Sequence, residues 1–567
     1  MRKGMGVSQG IAIGPAMVYK TRVIELTHRM ITVNDVESEK KKAEAAIAGA
    51  KAELQNILDA LDPKKDRAKC DLIEVQIELA ADPMLQSKVN QYIEVSYRNV
   101  GDAVILAAED IAKQFDGFCN EYYRARAVDI RDIGERLAAQ AFGIKRASLA
   151  RMETPSIVFA KDISPSETVM MDKEKVLAFV TELGSQTSHT AILAKMLEIP
   201  AVVGVSVEGV MDGERTMVDG ATGEVLVLPS DAELATYEKR RKNFLDKRAS
   251  LKKLRALSAT TTDGYTVELC INIADPRETA KIKEAGADGV GLFRTEFLYM
   301  DAKELPGEEE QFNAYKMAAV SAEGRPVVIR TLDIGGDKTL PYLPIPQEAN
   351  PFLGYRAIRL CLDRPDIFKA QLRAILRASA FGRLEIMFPM IGSMNQLYRA
   401  KQVVEECKKE LAGQNIPFDA KIPVGMMVEI PSAAAAAQLF AKASDFFSIG
   451  TNDLCQYALA VDRMNVKISD LYNHFNPGVL RLIRNTIRAA NEAGIMARMC
   501  GEMAADAAAA PLLLGMGLNE FSMNPASLPY IKDKVRGTSM ARAKDIAEKA
   551  MEMDSAIDIQ NYLEDLQ

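Results

Sequence analysis

The spacing of apolar positions changes character along this chain, and each change predicts an element. Residues 6–19 (GVSQGIAIGPAMVY) are short apolar steps punctuated by glycine, which predicts strands. Further on, Ala43, Ile47, Ala50, Leu54, Ile57 and Leu61 alternate steps of four and three. That is the seam of a packed helix, stopped by Asp62-Pro63 and started by a capping box expected at Asn34 and Glu37. Helical patterning resumes over 69–95, 101–117 and 121–141, so residues 22–145 are expected to form a helical bundle. Short apolar runs return at 156–160, 176–180, 202–204, 216–220 and 223–228. The bundle is therefore expected as an insertion in an α/β domain made of residues 1–21 plus 146–229. Residues 230–261 are rich in Lys and Arg, contain neither Gly nor Pro, and predict a helical linker.

From residue 262 onward, apolar strands alternate with helix-compatible segments. Strands are expected at 265–272, 288–293, 326–331, 384–389, 423–428, 445–450, 495–499 and 519–523, and eight such units make a (β/α)8 TIM barrel over 262–567. Chemically loaded residues fall just where these strands end. Arg294 follows the second strand, Arg330 closes the third and Glu429 the fifth; Asn452-Asp453 follow the sixth and Cys500 the seventh. In a barrel, that end is the mouth, where active sites sit.

The residue types at the mouth narrow the chemistry. Glu429 and Asp453 are hard oxygen donors suited to Mg2+, with Mn2+ as the alternative. Arg294, Arg330, Arg356 and Arg463 are planar forks for phosphate or carboxylate. Cys500 is read as a proton donor, against the commoner alternative of an inert buried thiol. Two carboxylates on a barrel also fit glycoside hydrolysis, but four arginines favour an anionic substrate.

Composition sets bounds on this picture. At 567 residues, about three or four domains are expected. Charged residues are 26% and apolar ones 48%, an ordinary globular balance, and a net charge of −7 argues against nucleic acid as a partner. No apolar run approaches the ~20 residues that span a membrane. No signal peptide is evident, and seven scattered cysteines without a CxxC pair fit a reducing cytoplasm.

Of the three histidines, His28, His189 and His474, only His189 lies in a Gly/Ser/Thr-rich turn, 184–190, that opens into a helical pattern. Ile192, Met196 and Ile199 follow it at helical spacing, and Pro200 ends the run. A helix N-terminus offers amide donors and a positive dipole end to a phosphoryl group, and it favours neutral, nucleophilic imidazole. A histidine that merely helps cap the helix is the alternative on these residues alone.

The stretch Gly184-Ser185-Gln186-Thr187-Ser188-His189-Thr190, followed by Ile199-Pro200-Ala201-Val202-Val203-Gly204, resembles the phosphohistidine motif of phosphoenolpyruvate-utilising enzymes, with Ser185 where a second glycine is usual. Residues 123–134, 291–300, 330–338, 350–356, 425–431, 447–454 and Asp462-Arg463 extend the likeness over nearly the whole chain. They resemble Enzyme I, the phosphoenolpyruvate–protein phosphotransferase family of the bacterial sugar phosphotransferase system. The resemblance implies a multidomain α/β protein: a swivelling phosphohistidine α/β domain, an inserted helical domain that docks the carrier protein HPr, a helical linker, and a phosphoenolpyruvate-binding TIM barrel that dimerises. It implies that Arg294, Arg330, Asn452, Asp453 and Arg463 surround phosphoenolpyruvate, that Glu429 and Asp453 hold Mg2+, and that Cys500 protonates the enolpyruvate. His189 would take the phosphoryl group and pass it to a histidine of HPr, releasing pyruvate. Gln76 stands near a place where family members often carry a histidine. A pyruvate phosphate dikinase or phosphoenolpyruvate synthase is the enzymatic rival, but no Gly-rich ATP loop is present; a phosphoenolpyruvate sensor without catalysis is the other.

Overall fold

Apolar strand residues of both parities are buried in the first part of the chain, which is how a sheet covered on both faces reads. The computed structural model divides into two units, residues 1–247 and 248–567. It describes residues 2–19, 26–59, 67–116, 121–144, 154–163, 174–184, 199–300, 304–336, 342–346, 348–463 and 465–566, with isolated residues between these stretches.

In the first unit an eight-stranded mixed sheet has the order β1-β8-β7-β3-β4-β5-β6-β2. Its strands are β1 (Arg2–Lys3), β2 (Met5–Ser8), β3 (Ile11–Tyr19), β4 (Ser156–Ala160), β5 (Val176–Thr181), β6 (Ala201–Val203), β7 (Arg215–Asp219) and β8 (Glu224–Val227). Ile157, Phe159, Ala178 and Val180 join the core on one face. Their neighbours Val158, Ala160 and Phe179 join the core on the other. The alternation of a pleated strand therefore feeds two cores from one continuous apolar run.

Among the described residues between β3 and β4 lie five α-helices: α1 (Val36–Asp59), α2 (Arg67–Ala80), α3 (Pro83–Glu94), α4 (Val100–Asp116) and α5 (Glu121–Phe142). Ala43, Ala50 and Leu54 of the expected seam are buried against Ile73, Val89, Val104, Ile111, Ile133 and Leu137. Leu61-Asp62-Pro63, expected to end α1, lies outside the described residues. The helix starts differently from the Asn34–Glu37 box. Asp35 accepts hydrogen bonds from the Thr32 amide at 2.9 Å and hydroxyl at 2.6 Å, so the cap sits two residues earlier. The helical stretch over 69–95 is two helices, because Asp82 caps α3 through the Met84 amide and Pro83 occupies its first turn. Gln76 is buried and donates to Asp132 at 3.2 Å, while Arg131 pairs with Glu109 at 2.8 Å. A polar helix, α6 (Asp231–Lys253), follows β8; its Tyr237 packs on Met217 and Leu226 and donates to Glu224 at 2.5 Å.

In the second unit β10 (Thr266–Ile273), β11 (Gly289–Arg294), β12 (Val327–Arg330), β13 (Leu384–Phe388), β14 (Val424–Val428), β15 (Phe446–Ile449), β16 (Met496–Met499) and β17 (Glu520–Met523) pair in sequence, all parallel. β17 returns to β10 and closes the barrel. The short β9 (Ala259–Thr260) adds antiparallel to β10. Each barrel strand begins within one residue of its expected start. The large core lies between strands and helices, and a smaller cluster of Leu292, Val328, Met387, Met427, Phe446 and Cys500 fills the inside. Among the described residues no helix is long and apolar enough to cross a membrane.

Candidate functional site at the barrel mouth

The pleat determines which side chains reach the mouth. Leu292, Val328 and Met427 point inward, so the residues two further on, Arg294, Arg330 and Glu429, share that direction at the C-terminal strand ends. Arg294 and Arg330 stand side by side in register. The same rule puts Arg498 in the layer below Cys500.

Arg330 is buried, and its Nη2 donates to Glu296 Oε1 at 2.6 Å. Its Nη1 lies 3.0 Å from Asp333 Oδ2. Arg356 is buried too; its Nη2 donates to Asp333 Oδ1 at 2.8 Å and reaches Asp453 Oδ2 at 3.4 Å. Its Nη1 donates to the Tyr457 hydroxyl at 3.2 Å, which in turn donates to the Phe352 carbonyl at 2.6 Å. Glu429, fully enclosed, accepts from the Met390 amide at 2.5 Å. Burial first, then the charges of Asp453 and Asp333, raise its carboxyl well above the ordinary carboxylate range. Asp453 Oδ1 is buried with no hydrogen-bond partner.

An orphaned buried oxygen beside a carboxylate that resists ionisation is a donor set a hard cation would satisfy, so Glu429 and Asp453 fit a divalent metal completed by substrate oxygens and water. Among the described residues, the group of three ligand atoms lying within 4.8 Å of one another is a different one, Glu268, Cys270 and Glu520. It sits at the strand starts, the opposite end of the barrel, where Arg498 lies 3.2 Å from Glu520 and 2.6 Å from Glu385.

Asn452 and Glu502 hold each other: the Asn452 amide donates to Glu502 Oε1 at 3.1 Å and accepts from the Glu502 backbone at 2.9 Å. The Arg463 backbone amide donates to Gln456 at 3.3 Å, and its side-chain Nε is buried without a hydrogen-bond partner. Cys500 is anchored through its amide to the Ile449 carbonyl at 3.1 Å, and its own carbonyl accepts from Asn272 at 3.1 Å. Burial pushes its thiol up to about 11, so at neutral pH it holds its proton rather than standing as a thiolate.

The structure thus gathers Arg294, Arg330, Arg356, Glu429, Asn452, Asp453, Arg463 and Cys500 at one end of the barrel. His189 lies outside the described residues, as do Ile192 and Met196; Ala191 and Ala194, which follow it, are helical and buried. Residue-type reasoning assigned no role to Glu296, Asp333, Tyr457 or Glu502. Glu296 and Asp333 carried a signal, since each is an acid within three positions of an arginine at a strand end. An anion-binding site of this kind, with two buried arginines, two candidate metal carboxylates and a protonated thiol, can bind a small phosphorylated acid and protonate its carbanion.

Comparisons with known proteins show the family. The model of the PEP-binding domain of PEP-utilising enzymes matches residues 248–540, that of their N-terminal domain 3–126, and that of their mobile domain 152–223. The phosphoenolpyruvate-protein phosphotransferase of Staphylococcus carnosus (strain TM300) is 42% identical over 99% of this chain and 98% of its own. That of Bacillus subtilis (strain 168) is 42% identical over 99% of both. A solution structure of Enzyme I (nEIt) is 35% identical over 43% of this chain and 99% of that one, with a TM-score of 0.39. At this identity and coverage, the chain belongs to the phosphoenolpyruvate-protein phosphotransferase family of PEP-utilising enzymes.

Proposed function

We propose that the family's reaction, transfer of the phosphoryl group of phosphoenolpyruvate to protein, is run in this chain by His189 and the barrel mouth, with HPr as final acceptor. Supporting this is the convergence of Arg330, Arg356, Glu429, Asp453 and Cys500 at one barrel end.

The geometry supports a division of labour. Arg294, Arg330, Arg356, Asn452 and Arg463 bind the carboxylate and phosphate of phosphoenolpyruvate, offering the charge-assisted donors that planar anions need. Glu429 and Asp453 hold Mg2+, which when bound draws negative charge from the transferring group. A neutral ring nitrogen of His189 attacks phosphorus as the bond to the enol oxygen breaks. The electron pair left on that oxygen makes the enolate; Cys500 Sγ–H delivers its proton to the terminal carbon, giving pyruvate. The thiolate is reprotonated from solvent before the next turnover.

The phosphohistidine then meets HPr on the helical bundle, which requires residues 1–21 plus 146–229 to move relative to the barrel, with 230–261 as linker. We assign 22–145 to HPr docking and 262–567 to phosphoenolpyruvate binding and homodimer formation; the PEP-binding family model over residues 248–540 supports the phosphoenolpyruvate part of this assignment. The composition supports a cytoplasmic location.

The test is pyruvate formation from phosphoenolpyruvate and Mg2+ by the full chain. Turnover is expected only when HPr is added, with no phosphoenolpyruvate made from ATP and pyruvate. Binding without pyruvate release in the presence of HPr would overturn the reading.

A further inference from the structure

Asp333 is buried among the groups just described and belongs to none of the assigned roles. Its two oxygens serve two different arginines, Oδ2 facing Arg330 at 3.0 Å and Oδ1 facing Arg356 at 2.8 Å. Arg356 Nη2 therefore stands between two carboxylates, Asp333 at 2.8 Å and Asp453 at 3.4 Å, and the shorter bond is to Asp333.

Backbone geometry enforces that preference. The Ala357 amide donates to the Ile334 carbonyl at 3.0 Å, joining the neighbours of Arg356 and Asp333 directly. Gly335 has φ +110°, and a Cβ there would lie 2.5 Å from Arg356 Cβ, so the loop carrying Asp333 rests on the stem of Arg356. The distance between Asp333 and Arg356 is thus set by the fold. Asp453 comes from another part of the barrel, the first turn of the helix Thr451–Leu459, and its contact with Arg356 is the one free to tighten.

We propose that Asp333 is a positioning residue that restrains Arg356 and so keeps Asp453 available to a divalent cation. This rests on the reading of Glu429 and Asp453 as the metal carboxylates. Without the Asp333 charge, Arg330 keeps Glu296 at 2.6 Å, whereas Arg356 keeps Asp453 as its charged partner. A guanidinium closing on that carboxylate with both nitrogens occupies the oxygens a metal needs. The rival account is that Asp333 attracts the cation by its charge alone. A double-mutant cycle separates the two, because restraint acts only through Arg356.

Mn2+ binding to the full chain, without phosphoenolpyruvate, is followed by the electron paramagnetic resonance of the free ion. Asp333→Asn is expected to weaken binding by at least about tenfold, the scale for groups that orient metal ligands. Arg356→Gln is expected to bind at least as tightly as the unsubstituted chain. The double variant is expected to match Arg356→Gln within about twofold. Equal weakening by Asp333→Asn in both backgrounds, or none, overturns the proposal. If Asp333→Asn does not fold, the double variant, which loses one charge of each sign, decides against Arg356→Gln by the same criterion. Glu429→Gln must abolish binding; if it does not, the metal assignment fails and takes this proposal with it. If it does and the cycle is additive, the assignment stands and only the role of Asp333 falls.

Discussion

Replacing Gly450 by alanine tests how tightly the fold holds Glu429. Gly450 follows β15 and precedes the helix Thr451–Leu459 with φ −90°, a conformation alanine accepts, so the effect comes from crowding alone. An added Cβ would lie 2.9 Å from Glu429 Oε2 and 3.0 Å from Met427 Sδ, against ordinary contacts of 3.4–4 Å. The shortfall toward the carboxylate is about 0.5 Å. Met427 is flexible and yields, but Glu429 is pinned on its other oxygen by the Met390 amide at 2.5 Å. Crowding of this size costs about 1–3 kcal/mol in stability. Displacing the proposed metal carboxylate by about half an ångström is expected to raise the half-saturating Mg2+ concentration about tenfold. The assay is pyruvate formation against Mg2+ at saturating phosphoenolpyruvate and HPr, with calorimetry on the same samples. A half-saturation within about twofold of the unsubstituted chain, in a variant that melts earlier, would refute the claim that Glu429 is held where the metal binds.

Further expectations follow from the same geometry. Cys500→Ser keeps the backbone bonds to Ile449 and Asn272 but replaces the acid with a far weaker one; kcat is expected to fall about 10²–10⁴-fold with KM for phosphoenolpyruvate nearly unchanged, measured by pyruvate release. In the bundle, burial pushes Asp129 up to about 6, with Arg126 at 3.9 Å lowering it and Asp132 raising it. A raised carboxyl binds its proton more tightly folded than unfolded, so its contribution is fully present below about pH 4 and lost as pH rises through about 6, at most about 3 kcal/mol. Asp129→Asn is expected to flatten that loss in denaturant titrations of the full chain between pH 4 and 7.5; parallel curves for both proteins would contradict it. Arg330→Lys removes the fork that joins Glu296 and Asp333, and KM for phosphoenolpyruvate is expected to rise at least about tenfold in steady-state kinetics.

The barrel was legible because its strands are short, apolar and alternate with helix-compatible segments, and because the strand ends carry the charged residues. The pleat then decides direction: Arg294, Arg330 and Glu429 follow inward-facing Leu292, Val328 and Met427 by two positions. Contacts between residues distant along the chain were not legible. Asp333 sits between Arg330 and Arg356 on a loop whose Ile334 carbonyl takes the Ala357 amide, a bond no periodicity encodes. Asn452 and Glu502 meet because neighbouring strands β15 and β16 place their loops together. Local capping was misplaced for a simpler reason. Several polar residues precede α1, and Thr32 with Asp35 prevails over Asn34 with Glu37. The helical run over 69–95 hid a break at Pro83, where the apolar pattern continues across the Asp82 cap.

Everything proposed for catalysis passes through one imidazole. The most direct measurement is mass mapping of the full chain after incubation with phosphoenolpyruvate and Mg2+, followed by addition of HPr. The account predicts a single acid-labile phosphoryl group on His189 that disappears as HPr gains one, and no label in His189→Ala although that variant still binds phosphoenolpyruvate. A phosphoryl group on any other residue, or label persisting in His189→Ala, would contradict it.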